Sequence, residues 1–234
     1  MTRYHSDEIY KILENEIVSL QIMPAEVLSE NTLCERFQVS RTLVRSALQR
    51  LALAGFVEIT PYVGTRVTAI ELEAVYQFIY LRISAEVCVL RDFMRSATPP
   101  QIEELRFYKD KFAQAVREVG DLTLLDAEKT DSLLACDLEF HHCYFRFTDK
   151  EMVWKFLTRP HPDYSRFIRL DMLGGKNIPD VLSEHQALMD IIDSRDPAGV
   201  EERISEHLYG GTRRLAPRLL SKEFQAYIRS AVGK

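Results

Sequence analysis

The chain has 234 residues, a formal net charge of -5, 46% hydrophobic and 28% charged residues, an ordinary globular balance with length for one large or two modest domains. No apolar run approaches the roughly 18–20 residues of a membrane span, and the first residues lack the apolar core of a signal peptide. Cys34, Cys88, Cys136 and Cys143 form no Cys-x-x-Cys pair, which argues against a thiolate zinc knuckle or a disulfide framework and for a reducing cytoplasm.

The elements predicted in chain order begin with an amphipathic helix, because Ile9, Ile12, Leu13, Ile17 and Leu20 recur at helical spacing. Met23-Pro24 ends it, since proline cannot continue a helix. Ser29 is placed to cap a short helix, Glu30 to Phe37, and Ser40 to cap a third, Arg41 to about Ala54, stopped by Gly55. Arg36 to Val57 holds Arg36, Arg41, Arg45 and Arg50 and no acidic residue, so the positive charge that a polyanion would need is local.

The third helix has two faces. With Arg41 at 0°, Arg45, Gln49, Thr42 and Ser46 fall between about 40° and 140°, and Leu43, Ala47, Leu51, Val44 and Leu48 between about 200° and 340°. The polar face carries the donors and acceptors suited to base edges and phosphates, arginine for guanine and glutamine for adenine. Two helices joined by a tight turn, the second with such a face, make a helix-turn-helix. Phe56–Thr60 and Thr65–Thr68 then alternate like strands around the turn Pro61–Gly64. That hairpin reads as a wing, with Gly64-Thr65-Arg66 expected at its tip, where glycine permits close backbone approach.

From Glu71 onward the pattern is helical, with no strand pattern and no repeat. Helices are expected at Leu72 to about Met94, after Thr98-Pro99-Pro100 to about Val119, at Asp121–Glu128, and at Asp131–Phe147. Further helices are expected at Lys150–Leu170 with a centre broken by Pro160 and Pro162, at Pro179–Asp193, and from Asp196-Pro197 to about Leu220. The expected architecture is mainly α: a winged helix-turn-helix over residues 1–70 and an all-helical bundle over 71–234.

Histidines carry the chemistry of the bundle. Asp137 and His141 are four apart on one helix face. His185 shares a stripe with Leu182, Leu188, Met189 and Ile192, and His207 one with Val200, Ile204, Leu208 and Leu215. All three histidines therefore point inward, whereas His5, His142 and His161 read as surface or loop residues. The residues alone leave two readings open: hydrogen-bonded core histidines, or a metal centre built from facing helices. One carboxylate and three imidazoles suit Zn²⁺, with Ni²⁺ or Mn²⁺ as alternatives. Arg82, on the stripe of Ile79 and Glu86, can pair with a ligand carboxylate in fork geometry or with Glu86.

The stretch from Ile9-Tyr10 through Val67 resembles the winged helix-turn-helix of GntR-family regulators. The resemblance is carried by Leu28-Ser29-Glu30, Val39-Ser40-Arg41-Thr42, Val44 through Leu51, Gly55, and Gly64-Thr65-Arg66-Val67. It implies DNA contacts at Arg41, Thr42, Arg45 and Gly64; the helix face adds Gln49 and the wing adds Arg66. Ala25, Asn31 and Leu43 depart from the family pattern, which often has glycine, arginine and proline there. The remainder is similar to the ligand-binding FCD domain of the FadR-type branch, through Arg82-x-x-x-Glu86, Asp137-x-x-x-His141, Glu184-His185 and His207-Leu208. Asp149-Lys150 replaces its usual small-residue-plus-asparagine motif. This likeness implies a divalent metal on Asp137, His141, His185 and His207 whose shell is completed by a small organic acid, with Arg82 as a candidate effector contact. The expected function is a ligand-responsive transcription regulator that binds a palindromic DNA operator as a homodimer, because one recognition helix reads only a short half-site. A metal-dependent hydrolase is the alternative, but it lacks a motif supplying a general base beside the metal.

Overall fold

A computed structural model describes residues 4–217 and 222–229. Two compact units result. The first comprises the N-terminal residues to Val75, joined by Pro160–Phe167 and the described part of the C-terminal segment; the second holds Tyr76–Arg159 and the residues from Ile168 to Pro217. The division falls inside the helix Leu72–Ser96, a few residues after the expected boundary at residue 70.

In the first unit, α1 (Ser6–Val18), α2 (Glu30–Phe37) and α3 (Arg41–Leu53) surround one apolar cluster. Ile9, Leu13 and Ile17 of α1 meet Val44, Ala47, Leu48 and Leu51 of α3, all essentially buried. Each large aliphatic side chain so buried stabilises the unit by about 1.5–3 kcal/mol. Local chemistry fixes the helix ends. His5 and Glu8 form a capping box on α1, and the Ser29 hydroxyl accepts from the Thr32 amide at 3.4 Å. Gln38 ends α2 in the left-handed region with φ 52°. Ser40 sits at the start of α3 as expected, although its side chain makes no capping bond.

The wing is β2 (Val57–Thr60) and β3 (Gly64–Val67), antiparallel with Val57 opposite Val67 and Thr60 opposite Gly64. A third strand, β1 (Val27–Leu28), pairs with β3 from the other side. Sequence periodicity did not reveal it because two residues carry no alternation. Gly64 is therefore the first residue of a strand, and the tip is Pro61–Val63. A second strand pair was also unforeseen: β4 (Ile70–Glu71) runs parallel to β5 (Ile228–Arg229). That pairing joins residues far apart in the chain, which no local pattern announces.

The second unit is helical. The 25-residue α4 (Leu72–Ser96) leads into α5 (Pro99–Val119), whose Thr98 and Gln101 form a capping box with proline in the first turn. The helix expected at Asp121–Glu128 is instead a 3₁₀ turn, Leu122–Leu124, after which Asp126 accepts from the Lys129 amide at 2.8 Å and starts α6 (Ala127–Phe147). Asp126 is the stronger stop because its carboxylate satisfies an otherwise orphaned helix N–H. α7 (Glu151–Leu157) and α8 (Tyr164–Met172) flank the proline break; α9 (Ile178–Ser194) follows. The single last helix expected to about Leu220 is broken into α10 (Val200–Leu208) and α11 (Gly210–Leu215), with Tyr209 between them. Residues 218–220 of that expectation lie outside the described residues. α12 (Lys222–Tyr227) precedes β5. α5 and α6 pack along their lengths, and Phe112, Leu133, Leu134, Met172 and Ile178 form a core between α5, α6, α8 and α9.

Candidate nucleic-acid interface and candidate metal centre

On α3 Arg41, Thr42, Arg45 and Gln49 are exposed, as is Leu53 at its last position, and Val44, Ala47, Leu48 and Leu51 are buried. The helical period alone separates these faces, because the apolar set must leave water and takes the polar set to the opposite side. Arg41 Nη2 donates to Asn31 Oδ1 at 2.8 Å, and Arg45 Nε lies 3.0 Å from both carboxylate oxygens of Glu30. The two arginines are thus held by the residues of α2 that face them. A cleft of about 640 Å³ separates α3 from the wing, lined by Arg45 and Gln49 on one side and by Ile59, Tyr62 and Gly64 on the other.

The wing tip differs from the expectation. Thr65 is buried, and Arg66 lies on β3 opposite Glu58, its guanidinium donating to the Ala25 carbonyl. Tyr62 and Val63 occupy the tip, Tyr62 fully exposed with φ 64°, and the Val63 amide closes the turn onto the Thr60 carbonyl at 3.1 Å. Alternation predicted the strands, but a four-residue turn has no period to place its tip.

In the second unit α6, α9 and α10 bring Asp137, His141, His185 and His207 together, with one donor atom from each lying within 4.8 Å of the others. His141 Nε2 lies 3.0 Å from His207 Nε2, and His185 Nε2 lies 3.1 Å from Asp137 Oδ1. A tetrahedral zinc with bonds of about 2.0–2.1 Å separates its donors by about 3.3 Å. His141 and His185 are fully buried and His207 nearly so.

The outer partners of these four side chains suit them to a cation. His141 Nδ1 faces Glu86 Oε2 at 2.7 Å and the Tyr144 hydroxyl at 2.8 Å, and that hydroxyl also donates to Glu86 at 2.5 Å. His207 Nδ1 faces Glu184 Oε2 at 2.9 Å. A carboxylate beside Nδ1 holds the proton there and leaves a lone pair on Nε2. Two Nε2 lone pairs then point at each other across 3.0 Å. Their repulsion is relieved by a positive charge between them, which is what a metal supplies. His185 adds an orphan: within the described residues neither ring nitrogen makes a hydrogen bond of proper geometry, as a buried ligand without its ion would show.

Burial pushes the His185 imidazole down to about 4, so it is neutral at neutral pH, the form that ligates. Burial also opposes the charge on Glu86, but the Arg82 guanidinium and the His141 contact outweigh it and hold its carboxyl well below the ordinary range. Arg82 Nε donates to Glu86 Oε1 at 2.5 Å inside the unit. Of its two anticipated partners the structure contains the glutamate. Glu86 orients His141 rather than joining the four. Tyr144 and the Glu184 contact were not anticipated. Their only signal was helical spacing: Tyr144 stands three residues after His141 on the same face. Farther out, Arg214 Nη1 lies 3.4 Å from Glu184 Oε1 and its Nη2 donates to Asp171 Oδ2 at 2.9 Å. A Cβ at Gly210 would sit 2.6 Å from Arg214 Nη1 and 3.0 Å from Glu184 Oε1, so the ends of these side chains would have to shift.

Comparison with known proteins gives matching results for both parts. Residues 77–210 match the family described as FCD domain, and residues 5–67 match "Bacterial regulatory proteins, gntR family". The chain is similar to the "HTH-type transcriptional repressor RspR" of Escherichia coli, 26% identical over 207 residues that cover 87% of this chain and 85% of that protein. It is 30% identical to the "Nta operon transcriptional regulator" of Aminobacter aminovorans over 112 residues, 47% of this chain and 53% of the relative. Among solved structures it resembles E. coli McbR/YncC, with TM-score 0.59 and 18% identity over 91% of this chain and 97% of that one. It also resembles a GntR regulator from Rhodococcus sp. RHA1, with TM-score 0.60 and 17% identity over 90% and 97% of the two chains.

Proposed function

The chain belongs to the GntR family of bacterial transcription regulators, in the group whose C-terminal part is an FCD domain, and on that premise we propose that it answers a small organic acid bound at a divalent metal. It is a regulator and not an enzyme, as its relatives are. The reading has two ends. At the output, Arg41, Thr42, Arg45 and Gln49 enter the major groove of a half-site, with Gly64 and Arg66 of the wing beside the adjoining backbone. A homodimer places two such helices on a palindromic operator in the cytoplasm. Among the described residues no helix is long and apolar enough to cross a membrane.

At the input, Asp137, His141, His185 and His207 hold the ion, Zn²⁺ before Ni²⁺ or Mn²⁺ given one carboxylate and three imidazoles. The observation that carries this end is the pair of Nε2 atoms 3.0 Å apart, each backed by a carboxylate on its other nitrogen. Once bound, the metal supplies a Lewis-acid position at which a carboxylate ligand can dock. Arg82 stands ready to exchange part of its pairing with Glu86 for the ligand's second charge. Repression, relieved or reinforced by the acid, is the form of output proposed.

The test is a thermal-shift screen of mono- and dicarboxylates with zinc present and after chelation. A ligand that binds the folded chain raises its melting temperature. Shifts that require zinc support both ends of the input site; acids that stabilise equally after chelation refute the metal's part. His185→Ala that retains full zinc by elemental analysis counts against the ligand set.

A further inference from the structure

We propose that Pro160–Phe167 is a strut of the DNA-binding unit, and that Arg166 within it is a positioning residue that fixes the wing against the end of the recognition helix. The proposal rests on the reading that α3 and the wing bind DNA.

Pro160–Phe167 lies inside the stretch that matches the FCD domain, yet it folds with the described residues up to Val75. Its Arg166 side chain has no exposed surface. Arginine is almost never fully buried unless its charge is met, and here, among the described residues, the ion-pair contact is Asp163 at a long 3.8 Å. Its donors go instead to backbone and hydroxyl oxygens. Nη1 donates to the Thr68 carbonyl at 2.6 Å, Nη2 to the Thr68 hydroxyl at 3.1 Å and the Ala69 carbonyl at 3.4 Å, and Nε to the Pro162 carbonyl. Thr68 and Ala69 directly follow the last strand of the wing. Burial pushes the guanidinium down to about 10, which still leaves it charged and donating at neutral pH.

The same threonine reaches the recognition helix. Its hydroxyl donates to the Gly55 carbonyl at 2.9 Å and its amide to the Phe56 carbonyl at 3.1 Å. Gly55 is the residue that stops α3, with φ 83°, and Pro162 lies against it: a Cβ there would sit 3.4 Å from Pro162 Cγ. Two residues beyond Ala69, Asp163 Oδ1 accepts the Glu71 amide at 2.8 Å. The strut therefore holds the wing stem at Thr68, Ala69 and Glu71 and rests on the helix end at Gly55.

A buried cation is a poor way to gain stability, since desolvation offsets most of its bonds. What it provides is geometry, because the guanidinium is a rigid planar fork with five donors. Geometry is what two-element DNA docking requires. The helix and the wing must straddle one sugar-phosphate strand, and such constellations tolerate errors of only roughly 0.5 Å. Lysine keeps the charge and loses the fork.

The full-length chain is used to select a DNA duplex from a random-sequence pool, and that duplex is the probe. Arg166→Lys is expected to weaken its binding about tenfold. At saturating protein, guanine N7 protection in the major groove is retained and hydroxyl-radical protection at the flanking minor groove is lost. Without DNA, amides of residues 57–71 exchange faster in the variant and those of 41–53 do not. Unchanged affinity and footprint, or equal loss of protection in both grooves, overturns the strut. Asp163→Ala removes the acceptor of the Glu71 amide together with the carboxylate 3.8 Å from Arg166, and serves if the arginine variant does not fold. It is expected to shift the minor-groove footprint alone, and a full wild-type footprint overturns the proposal. A wild-type chain that enriches no duplex removes the DNA-binding reading, and the strut falls with it.

Discussion

Glu86 Oε2 lies 2.7 Å from His141 Nδ1, both side chains fully buried. The contact links α4 to α6 and decides which nitrogen of His141 carries the proton. With Nδ1–H committed to the carboxylate, Nε2 faces the other three candidate ligands. The Arg82 guanidinium on the far side of Glu86 keeps that carboxylate ionised against its burial.

Glu86→Gln is expected to lower zinc affinity about 10–100-fold, the usual cost of losing an outer partner of a ligating histidine. The amide can still accept from Nδ1–H, so the fold has its hydrogen bond while the imidazole loses basicity. Competition with a chromophoric chelator measures the change. Wild-type affinity in the variant would show that His141 is not a ligand or needs no orienting.

Arg45→Ala is expected to weaken operator binding about tenfold to a hundredfold. In the free chain Arg45 pairs with Glu30 while 60% of its side chain stays exposed, and such surface pairs are weak. Exchanging the glutamate for a base edge is therefore inexpensive. Titration at fixed salt checks this, and an unaltered dissociation constant would remove Arg45 from the interface.

Among the described residues, six with side chains occupy backbone that favours glycine. Two of these are Ala25, with φ 68°, and Tyr62, with φ 64°. A left-handed residue with a Cβ costs roughly 1–2 kcal/mol, partly offset by the greater freedom of glycine in the unfolded chain. Ala25→Gly is expected to stabilise the protein by about 0.5–1 kcal/mol in urea unfolding and leave DNA binding intact. Tyr62→Gly should give a similar gain and yet reduce DNA affinity severalfold, since it empties the wing tip. A Tyr62→Gly protein that binds DNA normally would mean that the strain there serves no contact.

Thiol chemistry separates the cysteines. Cys88 is exposed, whereas Cys143 is buried and its thiol is pushed up to about 11 by that burial. The thiolate is the nucleophile. At pH 8 a maleimide should modify Cys88 rapidly and spare Cys143 until the chain is denatured, as peptide mass spectrometry would read. Early labelling of Cys143 would contradict the packing of α6.

The sequence by itself determined what depends on period and on local stops. Spacing of 3.6 residues put Arg41, Thr42, Arg45 and Gln49 on the face opposite Val44, Ala47, Leu48 and Leu51, and it turned His141, His185 and His207 inward. Caps and breakers placed most helix ends, and the departures at Ala25 and Asp149 fall on left-handed backbone, Asp149 with φ 57°. Tertiary structure alone decided what depends on pairs distant in the chain. It set the tip of the wing at Tyr62 rather than at Gly64–Arg66, divided the last helix at Tyr209, and paired Ile70 with Ile228. It also set Glu184 behind His207 and Arg166 beneath Thr68. A buried polar group must find a partner wherever packing brings one, and nothing in the order of residues says which partner that will be.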